Sequence, residues 1–153
     1  MRTHQFIPTH WHNLLGTLPT ALTIASGDTV VTETIDAHGI DRDGVQRAPE
    51  PNPMNGPIFV TGAEPGDALK VEILRMTPIR ATGWTRASLA ANVVDPESVR
   101  DLPPRDKVNW KIDFDALTAT LDPAVEGLEH LVLPLEPMIG CFGVAPVDRK
   151  SVV

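Results

Sequence analysis

Basic charge is scarce in this chain. Its 13 Lys and Arg stand against 20 Asp and Glu, a formal net charge of −7 over 153 residues. That balance argues against a nucleic-acid binder, which presents a basic patch to phosphates. A single cysteine excludes an internal disulfide framework. No apolar run approaches the roughly 18 residues that a membrane-spanning helix needs. The opening "MRTHQFIPTHWHN" lacks the apolar centre of a secretory signal. These absences point to a cytoplasmic chain with neither a nucleic-acid nor a membrane partner. HExxH, GxSxG, the Walker loop, GxGxxG and CxxC are all missing as well.

What remains is an ordinary globular composition, 42% hydrophobic and 22% charged, with length for one domain over 1–153 and a core of its own. Fifteen prolines, about twice average usage, lie beside apolar runs throughout. That distribution suits short strands and tight turns and suits long helices badly.

Five stretches carry the local signal. "ALTIASGDTVVTETIDA" (21–37) reads as strand, turn, strand, with Ser26-Gly27-Asp28 as the turn and β-branched residues after it. "HGIDRDGVQRAPEPNPMNG" (38–56) is an irregular loop, longer than idle connections usually are. In "PIFVTGAEPGDALKVEILRM" (57–76), Ile58, Phe59 and Val60 end a strand and Glu64-Pro65-Gly66-Asp67 fits a type II turn. Leu69, Val71 and Ile73 then alternate with Lys70 and Glu72, the pattern of a half-buried strand. "VNWKIDFDALTATL" (108–121) reads as a hairpin turning at Asp115-Ala116, and 130–135 as a last strand. "VDPESVRDL" (94–102) reads as one short helix with Asp95 as N-cap and Pro96 at the first position. The fold expected is mainly β, a β-sandwich or jelly-roll-like domain with one short helix.

Candidate chemistry is sparse. His10 and His12 in "HWHN" would share one face of a strand, as metal-binding pairs do, but Trp11 between them also suits simple packing. Asp36 and His38, with Glu33, stand where a strand meets the long loop. They read as a metal site or as a turn Asp and a surface His. Glu136 lies inside an apolar run. It reads as a desolvated proton carrier or as the strand's exit into solvent. Cys141 has apolar neighbours and no nearby base, which suits a small packing residue better than a nucleophile.

At "GPIFVTGAEPGDALKVEIL" the sequence resembles the acetamidase/formamidase family, and further stretches agree in the family's order. "HWHN" with "LPTALTIASGDTVVTETIDA" resembles its opening. "NPMNGPIFVTGAEPGD" resembles its N-P-L-T-G-P-x-x-V-x-G-A-E-P-G-D signature. "ATGWTRASLAANVVDPESVR" and "LPLEPMIGCFGVAP" resemble later blocks. The resemblance spans residues 10–146. It implies a mainly β, oligomeric hydrolase that splits carbon–nitrogen bonds other than peptide bonds in linear amides such as formamide and acetamide. The products are ammonia and a short carboxylate.

The resemblance also implies a divalent metal, zinc above all, with His10, His12, Asp36 and His38 as its donors here and Glu136 as the catalytic carboxylate. Amides resist attack, so the implied chemistry is a metal-activated water, with a carboxylate carrying a proton to the departing ammonia. After "GVAP" the family continues into an "HGGNMD" block and a second half, whereas here "VDRKSVV" (147–153) follows as a divergent tail. The expectation is therefore a truncated amidase whose partners are a small amide and further copies of itself. The alternative is a non-catalytic β-domain, or a binding module that needs a partner chain.

Overall fold

The structure, a computed structural model, describes residues 1–86, 91–102, 104, 106–146 and 150–151. Of the tail expected over 147–153, residues 147–149, 152 and 153 lie outside the described residues, as do 87–90 of the block resembling the family at 81–100. The chain is mainly β. It divides into two compact units, Met1–Met76 with Met138–Val153, and Thr77–Pro137.

The first unit holds β1 (Thr3–Phe6), β2 (Leu14–Leu15), β3 (Leu22–Ala25), β4 (Thr29–Thr32) and β5 (Ile58–Thr61). The second holds β6 (Thr82–Arg86), β7 (Lys107–Asp113), β8 (Thr118–Leu121) and β9 (Val132–Pro134), and β10 (Lys150–Ser151) returns to the first. The strand–turn–strand at 22–32 forms as expected, but its two strands do not pair with each other. β3 pairs in parallel with β5, Ile24 opposite Val60, and β4 pairs in parallel with β1, Val30 opposite His4. The turn between them is a corner, closed by the Asp28 N–H donating to the Ala25 carbonyl at 3.1 Å. Leu22 and Ile24 are half-buried while Thr23 and Ala25 face solvent, the alternation of a one-sided strand. β10 pairs antiparallel with β2, so part of the featureless tail is a short strand. Gly143 approaches the same place: a Cβ there would lie 3.1 Å from Leu15 Cδ1.

The second unit is a four-stranded antiparallel sheet in the order β6-β7-β8-β9. β7 alternates faithfully, with Val108, Trp110 and Ile112 half-buried between exposed neighbours. Its turn into β8 is closed by Asp113 Oδ1, which accepts from the N–H groups of Asp115 and Ala116 at 2.9 and 2.8 Å. The expected hairpin at 108–121 and the last strand are both present. Trp110 Nε1 donates to Thr85 Oγ1 across the sheet at 3.0 Å, and Lys107 Nζ lies 4.7 Å from the Trp84 ring centroid. The expected helix is a 3-10 turn, Pro96–Asp101, with Asp95 at its N-cap position but no side-chain cap bond. A second 3-10 turn covers Ala91–Val93.

The strand expected at 69–73 does not form. The turn before it does: the Asp67 N–H donates to the Glu64 carbonyl at 3.0 Å, and Gly66 takes φ +105° as a type II turn requires. Beyond it, β5 is already paired with β3, and among the described residues no strand lies beside 69–73. A strand is defined by its partner, because its backbone groups have none within the strand itself. Burial is correspondingly thin. Among the described apolar side chains only Ala48, at 7% exposure, and Pro53 are buried.

Candidate functional site

In the first unit the long loop 38–56 is a built object rather than a slack connection. It starts at Asp36, whose Oδ1 accepts from the N–H groups of His38 and Ile40 at 2.9 and 3.0 Å. This is a side-chain-closed turn, the use of Asp that local backbone competition favours. Asp41 repeats the device on Asp43 and Val45 and also accepts from Arg47 Nε at 2.5 Å. The Arg47 bond first, then the Val45 N–H, hold the Asp41 carboxyl below its ordinary range against the opposing effect of burial. Gln46 Nε2 donates to the carbonyls of His38 and Ala48. Gly39 sits beneath, at φ +80°, where a Cβ would overlap the Ala48 carbonyl oxygen.

The loop is fastened to the N-terminal histidine segment. His12 and Met54 form an antiparallel bridge with bonds of 3.1 and 2.9 Å. Asn13 Nδ2 donates to the carbonyls of Pro49 and Pro51 at 3.0 and 2.5 Å. Asn55 Nδ2 donates to Glu33 O at 2.7 Å and Thr32 Oγ1 at 3.2 Å, which joins the loop's far end to the end of β4.

His12, Asp36 and His38 therefore share one loop assembly. His38 Nδ1 lies 3.4 Å from Glu50 Oε2; the His38 side chain is 19% exposed and that of Glu50 63%. A mostly buried imidazole steered by a solvent-reaching carboxylate can move a proton. His10 is exposed, with Nδ1 2.9 Å from Thr9 Oγ1 and no strand beneath it. Asp36 Oδ1 is already committed to two backbone N–H groups. Among the described residues no three His, Cys, Asp or Glu side chains converge to hold a metal ion. As placed here, His10, His12, Asp36 and His38 are not gathered into a site for the divalent metal that the sequence resemblance implies.

Glu136 belongs to the second unit. It follows Leu135, whose N–H makes a last bond of 2.8 Å to the Leu117 carbonyl, and it stands exposed. Of its two sequence readings, the exit into solvent describes it. The same unit has a half-open depression of about 270 Å³ lined by Arg80, Thr82, Trp84, Asn109 and Asp122, none of them singled out by the sequence. Cys141 is a free, half-buried thiol.

Three features had no clear sequence signal. Glu50 reaches His38 from the far end of a Pro-rich stretch of loop. Asn13 clamps two prolyl carbonyls from outside the loop. Asp28 Oδ2 lies 2.9 Å from His4 Nε2, and its carboxylate also accepts from the N–H groups of Arg2 and Ala25 at 2.8 and 3.1 Å. The His4 bond, followed by those two N–H groups, holds the Asp28 carboxyl far below the usual carboxylate range. The Asp of "SGD" was visible as a turn residue, but the histidine that completes it comes from β1.

The acetamidase/formamidase family model matches residues 2–150. No curated protein and no solved structure matches the chain significantly.

Proposed function

The chain belongs to the acetamidase/formamidase family, and on that premise we propose that it hydrolyses the carbon–nitrogen bond of a small linear amide, formamide- or acetamide-like, to ammonia and a short carboxylate. The family match over 2–150 carries the reading. The loop assembly around His38 supports it, because amide hydrolysis needs a group that removes a proton from water and returns one to the departing nitrogen. His38, steered by Glu50 at 3.4 Å, is the proposed base in this chain. Glu136 is the proposed second carboxylate, on the sequence resemblance alone. Zinc with His10, His12, Asp36 and His38 as donors is the cofactor proposal that the resemblance implies; it is an alternative to His38 as base, and it requires donors brought closer than they stand here. The reading includes a cytoplasmic location and a homo-oligomer. Among the described residues no helix is long and apolar enough to cross a membrane.

A second reading, that the chain works only with a partner chain, is favoured by its thin core: among the described residues Ala48 and Pro53 are the buried apolar side chains. Ammonia release from formamide and acetamide by the purified chain, with and without added zinc, separates the two. Turnover that falls at least tenfold in His38→Ala and in Glu136→Gln supports the first reading with its residues. Wild-type turnover in both variants removes those assignments. No turnover by the wild-type chain leaves the second reading.

A further inference from the structure

Residues 68–74, Ala-Leu-Lys-Val-Glu-Ile-Leu, follow the turn at Glu64–Asp67 and belong to no strand. Leu69, Val71, Ile73 and Leu74 are 45%, 57%, 58% and 69% exposed. Among the described residues no backbone hydrogen bond is made by 68–74, and neither Lys70 nor Glu72 has a polar partner. A stretch with strand alternation, unpaired backbone groups and an apolar face is a template for another strand.

Its charges say which strand. In an antiparallel pair, opposite residues lie on the same side and their identity fixes the register. If the segment meets a second copy of itself with Val71 opposite Val71, Leu69 falls opposite Ile73, and Lys70 of each copy falls opposite Glu72 of the other. Sliding the pair by two positions puts Lys70 opposite Lys70, or Glu72 opposite Glu72. Sliding by one sets apolar residues against charges. A parallel in-register pair stacks like on like. One register therefore satisfies both the apolar face and the charges, and it is two-fold symmetric, the closed geometry of most homodimers.

We propose that residues 69–73 are a self-complementary interface through which two copies of this chain pair antiparallel, centred on Val71. Two such strands alone are a marginal structure, so the association is concentration-dependent. The proposal deepens the homo-oligomer of the reading above, on which it rests, and is independent of amide hydrolysis itself.

Sedimentation velocity over a range of concentrations tests it with wild type, Lys70→Glu, Glu72→Lys, a one-to-one mixture of the two, and the double variant. The wild-type mass is expected to rise from one chain toward two. Each single variant sets like charges opposite each other twice, and its midpoint is expected to move to about tenfold higher concentration or more. In the mixture the K70E chain brings two carboxylates to the strand and the E72K chain brings two ammonium groups. Every opposed pair is again of opposite sign, so dimerisation recovers. It recovers in the double variant for the same reason. Both positions are exposed, and unchanged circular dichroism verifies folding; should a single variant unfold, the double variant still reads the register. A wild-type chain that stays single at all concentrations overturns the proposal. So does association that the single variants leave unchanged, or single variants whose loss is not recovered by mixing.

Discussion

At the residue scale, polar side chains that hold backbone in place matter more here than buried apolar ones. Asp28 is the clearest case, with His4 and two backbone N–H groups on one carboxylate. Its acid strength is raised in the folded chain, so its contribution is complete above the ordinary carboxylate range near pH 3.9. That contribution is lost as pH falls through the lower folded value. Asp28→Asn is therefore expected to melt at a lower temperature than wild type at neutral pH. The gap should narrow below about pH 4, read from melting temperatures across a pH series; a gap independent of pH contradicts the assignment. Gly39 is the second case. Its left-handed backbone alone costs about 1–2 kcal/mol for a residue with a Cβ, and that atom would also overlap the Ala48 carbonyl. Gly39→Ala is expected to lower unfolding free energy by at least that amount in a urea titration, whereas Gly44→Ala, at φ +78° with nothing near it, should show the backbone cost only. The turn roles of Asp36 and Asp28 were legible in the sequence, because an Asp closes turns with groups a few residues away. The partners His4, Glu50 and Asn13 were not, because each reaches its contact from another part of the chain.

At the element scale, the hairpin at 108–121 was legible throughout. Its alternation, its turn and its antiparallel return all lie within one short stretch of chain. Ile112 is half-buried on the inner alternation of β7, with Cδ1 facing Gly83. Ile112→Ala is expected to cost about 1–2 kcal/mol, below the roughly 2–5 kcal/mol of a fully enclosed site, in a urea titration followed by tryptophan fluorescence. The parallel pairs β1-β4 and β3-β5 could not be read, since a parallel partner is reached by a crossover and leaves no turn in the sequence. The strand pattern at 69–73 misled for a related reason: alternation reports a face that could be buried, not a neighbour that buries it. The loop 38–56 is held as an element by Asn13. Asn13→Ala is expected to speed protease cleavage within 38–56 several-fold, with cleavage sites read by mass spectrometry. An unchanged pattern would mean that the His12–Met54 bridge and the Asn55 bonds secure the loop without Asn13.

At the scale of the whole molecule, a mainly β chain with ordinary hydrophobic content buries only Ala48 and Pro53 among its described apolar side chains. Leu74, Met138, Phe142 and Val144, 65–78% exposed, all belong to the first unit. Such surface binds hydrophobic dyes. The native chain is expected to enhance anilinonaphthalene sulfonate fluorescence without denaturant, and enhancement that falls as the chain concentration rises would accompany pairing through 69–73. No enhancement at any concentration would show those side chains covered. The sequence by itself determined strand content, the turns, the hairpin and the family, because propensity, turn chemistry and motif order are local properties or linear ones. Tertiary structure alone decided which strands pair in parallel, that Glu50 faces His38, that Asp36 braces a loop, and that 69–73 has no strand partner among the described residues. Those outcomes depend on contacts between distant residues, whose geometry no local pattern encodes.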